Sequence, residues 1–146
     1  MEHIFNLSID WTGGRNGTGS LEARDLKTSV SIPIEMNGPN VGTNPDEMLL
    51  GASATCYIIT LAMLLEKSKI DVTSLIVESK ATVDVTNGIY TFKQIIHRPT
   101  IVTSLLEERL QNKIQTLAVK AEETCMISKA LKGNVEILVD VIHEMR

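Results

Sequence analysis

Cys56 and Cys125 are the only two thiols in this chain of 146 residues. Each stands in sequence that reads as helix rather than surface loop. Cys56 lies in the apolar run Met48 to Leu65, and Cys125 follows Ala121-Glu122-Glu123-Thr124. They are too distant in sequence for a CxxC loop or a zinc-ribbon spacing. Two thiols that meet only through folding can form an attacking and resolving pair, one being oxidised and the other closing a disulfide onto it. They can equally be two small core hydrophobes, because free cysteine is among the most buried residue types. The three histidines, His3, His97 and His143, are scattered on strand-like sequence. No His, Cys and Asp fall at metal-ligand spacing, so no metal site is expected. A Cys–His hydrolase is the remote alternative, and it requires folding alone to bring His97 or His143 beside a cysteine.

The elements that position these thiols belong to one expected domain, residues 1–146, since this length builds a real core but not two comfortable ones. Apolar residues make up 43% and charged residues 22%, an ordinary globular balance with no low-complexity tail. A net charge of −4, a pI near 5.4 and no run of Lys or Arg remove the electrostatic footprint of a nucleic-acid binder. The start, Met-Glu-His-Ile-Phe-Asn-Leu, lacks both the basic and the apolar parts of a secretory signal. A cytoplasmic protein with reduced thiols is therefore expected. The uncharged stretch Met48–Leu65 reaches the roughly 18-residue minimum for a membrane span. Gly51, Ala52, Ser53, Ala54 and Thr55 make its first half only weakly hydrophobic, and a core helix buried on all sides is expected instead.

Along the chain, Phe5, Leu7, Ile9 and Trp11 alternate with polar neighbours, and Gly13-Gly14-Arg15-Asn16-Gly17 makes a turn. A second strand is expected around Leu21–Leu26, and Val30, Ile32 and Ile34 alternate again. A helix then begins with Asn44 as N-cap, Pro45 at the first helical position and Glu47 placed to reach back to the cap. Next come a strand marked by Leu75, Val77, Ala81, Val83 and Val85, an Asn87-Gly88 hairpin turn, and a returning strand Tyr90–Val102. Pro99 predicts that this strand lies at an edge or a bulge. Ser104 to Glu107 reads as a capping box, followed by Leu106, Leu110, Ile114, Leu117 and Ala121 at helical spacing. This helical region is expected to break near Cys125 and to end at Lys132-Gly133-Asn134, before a final strand Val135–Ile142. Strand blocks segregated around two substantial helices predict an α+β fold with largely antiparallel sheets.

Three stretches together resemble the OsmC/Ohr family, the osmotically inducible protein C and organic hydroperoxide resistance proteins. They are Thr12-Gly13-Gly14-Arg15-Asn16-Gly17, then Gly42-Thr43-Asn44-Pro45-Asp46-Glu47 continuing through Ala54-Thr55-Cys56-Tyr57, and Ala121 to Leu131 around Cys125. The segment Ile95-Ile96-His97-Arg98-Pro99 is similar to the family's strand before its second long helix. The resemblance covers nearly the whole chain and keeps the elements in order. One departure is Met126, where the family pattern usually has proline. The resemblance implies a lipoyl-type dithiol for one branch of the family, while Ser128-Lys129-Ala130-Leu131 leans toward the other, and both branches stay open.

The resemblance implies an OsmC-like intertwined homodimer, its sheets wrapped around two central helices, with two active sites at the interface. It implies a thiol-dependent peroxidase of organic hydroperoxides that binds no metal, haem or flavin and is recycled by an external dithiol, a lipoyl-type one or a lipoylated protein being the candidates. In such a protein Cys56 attacks and Cys125 resolves, while Arg15 and Glu47 assist. The chemistry is coherent: a thiol of pKa near ~8.5 is mostly protonated at neutral pH, and a guanidinium beside it favours the nucleophilic thiolate. Glu47 would hold that guanidinium in a bidentate contact. Glu47 and Cys56 stand about two and a half helical turns apart, roughly 13 Å along the axis. If both belong to one site, either Arg15 bridges a long way or the glutamate comes from a second subunit, which fits the dimer that the resemblance implies. Tyr57 and Trp11 are candidates to wall an apolar peroxide pocket. A redox sensor or small-molecule binder of the same fold, with little turnover, is the alternative from a different class.

Overall fold

The computed structural model describes residues Met1–Arg146, which form two compact units, Met1–Met48 and Leu49–Arg146. In the first unit, β1 (Ser8–Thr12), β2 (Thr18–Ala23) and β3 (Leu26–Val30) make an antiparallel sheet in that order. The glycine-rich turn joins β1 to β2, with Gly13 in the left-handed region at φ +96 and the Gly17 N–H donating to the Gly14 carbonyl at 3.0 Å. The strand expected over Leu21–Leu26 is in fact interrupted by a reversal at Arg24-Asp25. Arg24 takes φ +52 there, and neither Gly, Asn nor Pro announces the turn in the sequence. The alternation of Val30, Ile32 and Ile34 does not continue as a strand either, because Ile34–Met36 forms a 3-10 turn.

The helix α1 (Pro45–Lys67) begins as the sequence predicts. The Glu47 N–H donates to Asn44 Oδ1 at 2.9 Å, and Asn44 Nδ2 donates to Glu47 Oε1 at 2.5 Å, a reciprocal cap.

In the second unit, β4 (Val72–Thr86) and β5 (Ile89–Thr103) form a long antiparallel hairpin. Asn87 and Gly88 turn it with φ +53 and +73, the pair of left-handed residues that a two-residue hairpin loop requires. After α2 (Glu108–Thr124) and α3 (Met126–Leu131) come β6 (Glu136–Val139) and β7 (Ile142–Met145), which both run parallel to β5. The final strand is thus split in two, and this sheet is mixed rather than wholly antiparallel.

Pro99 is correspondingly not at an edge: β5 has β4 on one side and β6 and β7 on the other. It falls between the stretch paired with β6, ending at His97, and the stretch paired with β7, starting at Thr100. The His97 carbonyl accepts the Asp140 N–H on that side, and residues two apart point their backbone groups the same way. The donor that Pro99 lacks would therefore face the break between β6 and β7.

The core of the second unit joins Tyr57, Leu61 and Leu65 of α1 to Ile101 of β5 and to Ile114, Leu117, Ala118 and Ala121 of α2. Each large apolar side chain so buried contributes roughly 1.5–3 kcal/mol. The face was legible from i, i+3, i+4 spacing, but the start of α2 was not. Leu106 is outside the helix and exposed, and Glu107 occupies the N-cap without a side-chain cap bond, so the expected Ser104 capping box is not formed.

α1 is also not buried on all sides. It is long and apolar enough to cross a membrane by length and composition, yet only Ser53, Tyr57, Leu61 and Leu65 are buried. Thr55, Ile59 and Met63 leave a continuous exposed stripe. The protein core of one chain supplies cover for one side of this helix, and its remaining side is apolar and open.

Candidate active site

Helical hydrogen bonding ends at Cys125. Its N–H donates to the carbonyls of Ala121 and Glu122 at 3.0 and 3.3 Å, and its own ψ of 126 takes the chain out of the helix for one residue before α3 begins. This single extended residue buries the Cys125 thiol and turns the first amides of α3 toward α1. There, the half-buried Cys56 sulfur lies beside the Cys125 thiol and the backbone N–H groups of Ile127 and Met126. Thr60, one turn further along α1, donates to the Cys56 carbonyl at 2.7 Å and lies against the thiol as well.

The two thiols are tuned in opposite directions. Burial pushes Cys56 up, but the hydrogen bonds from Cys125, Ile127, Met126 and Thr60 together outweigh it and leave Cys56 more acidic than an ordinary thiol. Cys125 is held above the ordinary value, first by burial and then by the hydrogen bond it makes to Cys56. Of the two thiols Cys56 is therefore the more readily ionised, and the thiolate is the nucleophilic form of cysteine.

Behind Cys56, Tyr57 stacks on His97 with ring centroids 4.7 Å apart and planes inclined by 12°. The Tyr57 hydroxyl donates to the Ala118 carbonyl of α2 at 2.9 Å. His97 is fully buried, its Nε2 at 3.1 Å from Ser53 Oγ and its Nδ1 at 2.7 Å from Ser79 Oγ. Burial pulls its pKa down to about 4, so the ring is neutral at pH 7. Ser53, Tyr57 and His97 thus tie the turn of α1 that carries Cys56 to both β5 and α2.

Residues 38–140 match the sequence model of the family described as OsmC-like protein. The chain belongs to that family. The Bacillus subtilis (strain 168) protein YmaD, itself uncharacterised, is 51% identical over 139 residues, which cover 93% of this chain and 91% of YmaD. The organic hydroperoxide resistance protein of Xanthomonas axonopodis pv. citri is 26% identical over 138 residues, 92% of each chain. Among solved structures, an organic hydroperoxide resistance protein from Legionella pneumophila superposes with a TM-score of 0.76 at 25% identity, covering 97% of this chain and 99% of its own. The fold is OsmC-like.

Within this OsmC-like chain the fold brings Cys56 and Cys125 together and treats Arg15 and Glu47 separately. Arg15 Nη2 donates to the Met36 carbonyl at 2.6 Å, and Nη1 donates to the Asn37 carbonyl at 3.3 Å and to Asn16 Oδ1 at 3.2 Å. Glu47 is engaged by its Asn44 cap. The expected bidentate Arg15–Glu47 contact is absent from the ion pairs of the chain, because each partner is already held by local groups.

The Cys–His reading fails on geometry. Both His97 nitrogens meet serine hydroxyls, and His143 Nε2 meets Thr103 Oγ1 at 2.7 Å. Tyr57 is a buried core residue rather than an open pocket wall, while Trp11 is exposed and donates Nε1 to the Gly14 carbonyl at 3.0 Å. No group of three or more His, Cys, Asp and Glu is placed to hold a metal ion.

Sequence reasoning missed Ser53, Ser79, Thr60, Glu122 and Ser128. Ser53 and Thr60 are one helical turn either side of Cys56, a spacing that places them on its flank and was a usable signal. Ser79 reaches the site through tertiary packing, which leaves no local mark, whereas Glu122 and Ser128 each stand three residues from Cys125.

Proposed function

We propose that the protein is a thiol-dependent peroxidase that reduces organic hydroperoxides, and less efficiently inorganic ones, to alcohols in peroxide stress defence. The observation that carries this reading is the Cys56–Cys125 contact, in which the more acidic thiol is the more accessible one and the more basic thiol waits, protonated, against it. The Cys56 thiolate attacks the distal peroxide oxygen. An S–O bond forms, the O–O bond breaks, and the departing alkoxide takes a proton to leave as alcohol. Cys56 is then a sulfenic acid. Cys125 sulfur attacks Cys56 sulfur, the S–S bond forms, the S–O bond breaks, and hydroxide with the Cys125 proton leaves as water. An external dithiol, of lipoyl type or on a lipoylated protein, returns the disulfide to two thiols.

Arg15 and Glu47 take supporting roles in this reading, the guanidinium favouring thiolate and the carboxylate orienting the guanidinium. The working form is a homodimer in the cytoplasm. The open apolar stripe of Thr55, Ile59 and Met63 on α1 supports a second copy as its cover. The roughly 13 Å of helical rise between Glu47 and Cys56 favours a Glu47 contributed by the other copy. The name of the Xanthomonas relative supports the choice of substrate class.

The test is steady-state consumption of cumene hydroperoxide with dithiothreitol by wild type, Cys56→Ser and Cys125→Ser. Sustained turnover abolished in Cys56→Ser supports the peroxidase. A single stoichiometric oxidation that then stops supports a redox sensor instead.

A further inference from the structure

Cys125 has to lose its proton to close the disulfide, and the fold buries it away from bulk water. The polar groups on its far side from Cys56 are therefore the ones through which that proton can leave. Ser128, one turn into α3, is 4% exposed, and its Oγ has no hydrogen-bond partner. Glu122 stands three residues before Cys125 at the end of α2 and Ser128 three residues after it in α3, one on each side of the break. Glu122 and Ser128 line one pocket of about 310 Å³, which opens between the end of α2, α3 and the start of β6 and also carries Glu123, Lys129, Lys132 and Gly133.

We propose that Glu122, acting through the Ser128 hydroxyl, is the proton acceptor for Cys125 when it closes the disulfide onto Cys56. The hydroxyl passes its proton to the carboxylate as it takes the one from Cys125, so the thiol becomes thiolate at the moment of attack. In the peroxide cycle the carboxyl afterwards gives up a proton as the hydroxide of the sulfenic acid leaves as water, and Glu122 ends as it began. The groups that face Glu122 suit an acceptor. Burial first, then Glu123, raise its proton affinity, while Lys132 and Ser128 restrain the rise. From α1, the buried Tyr57 feels the Glu122 charge and keeps its own proton. Lys129 lines the pocket.

The inference rests on the peroxidase reading for its place in the cycle, but its test uses no peroxide. Reduced protein is given one equivalent of 5,5′-dithiobis(2-nitrobenzoate), which loads thionitrobenzoate on Cys56. Attack by Cys125 then expels the second thionitrobenzoate anion, which needs no proton, and the absorbance rise times closure directly. In wild type the closure rate is expected to rise as pH climbs through the Glu122 titration and to level before Cys125 ionises unaided. Glu122→Gln is expected to close at least about tenfold more slowly at pH 7, as the loss of a general base does, and to lack the acid limb while approaching wild type at high pH. Glu122→Asp should recover part of the rate, and Ser128→Ala should behave as Glu122→Gln does. Closure by Glu122→Gln at the wild-type rate overturns the inference. So does a uniform slowing that keeps the wild-type pH profile, which marks a structural effect. Failure of the peroxidase reading registers elsewhere, as absence of peroxide turnover with this closure intact.

Discussion

Cys125 lies against Cys56, and the pairing leaves Cys56 the more acidic and Cys125 the less acidic of two otherwise identical side chains. Three of the groups that create the inequality, Cys125 and the amides of Met126 and Ile127, come from the same break between α2 and α3.

Methionine rather than proline at position 126 has a direct consequence, because proline carries no N–H. Met126→Pro removes one donor from the Cys56 sulfur and is expected to move the Cys56 titration upward while leaving α3 in place, since proline is tolerated at a first helical position. Thiolate absorbance or the rate of iodoacetamide labelling of Cys56 against pH measures it. In wild type that rate is expected to rise with pH and level below the range of an ordinary thiol, with Cys56 labelled well ahead of the buried Cys125. An unmoved midpoint in Met126→Pro would show that the amide contributes nothing.

Buried His97 makes stability depend on acid. Its folded pKa of about 4 lies below the ordinary 6.5, so the stability tied to the neutral ring is fully present above pH 6.5 and is lost as pH falls toward 4. Linkage over those values gives a loss of about 2 kcal/mol at pH 5 relative to pH 7.5. Urea unfolding at the two pH values measures it, and His97→Gln is expected to be less stable at pH 7.5 yet to show a much smaller acid loss.

Covering the open stripe of α1 by a second copy predicts that a charge there separates the copies. Ile59→Glu with Met63→Glu is expected to halve the mass seen by light scattering at micromolar concentration while retaining the helical circular dichroism, because both positions are more than half exposed within one chain. A monomeric wild type would remove the basis for an interface at this helix.

Much of this was readable from local pattern. The reciprocal Asn44–Glu47 cap, the Asn87-Gly88 turn and the Ile114, Leu117, Ala121 face each depend on residues within a turn or two of one another. So does the break at Cys125. The errors have a common cause in non-local partners. Pro99 reads as an edge residue until β6 and β7 are known to part beside it, and Arg24 gives no sequence sign of its left-handed turn. The Met48–Leu65 run reads as fully buried because hydropathy records how apolar a helix is, not how much of its surroundings one chain supplies. At the site, the two cysteines were legible as chemistry. Their inequality was not, since it arises from amides, whose donors are the same in every residue but proline.

The most direct measurement of the central claim is one-equivalent oxidation. Reduced protein is mixed with one equivalent of cumene hydroperoxide per chain, quenched by acid after successive intervals, and its thiols and mass are read without reductant. The expected result is loss of both thiols with a Cys56–Cys125 peptide bridge within each chain, preceded by a sulfenic acid on Cys56 that accumulates in Cys125→Ser. Oxidation confined to Cys125, or loss of the Cys56 thiol with no bridge formed, would contradict it.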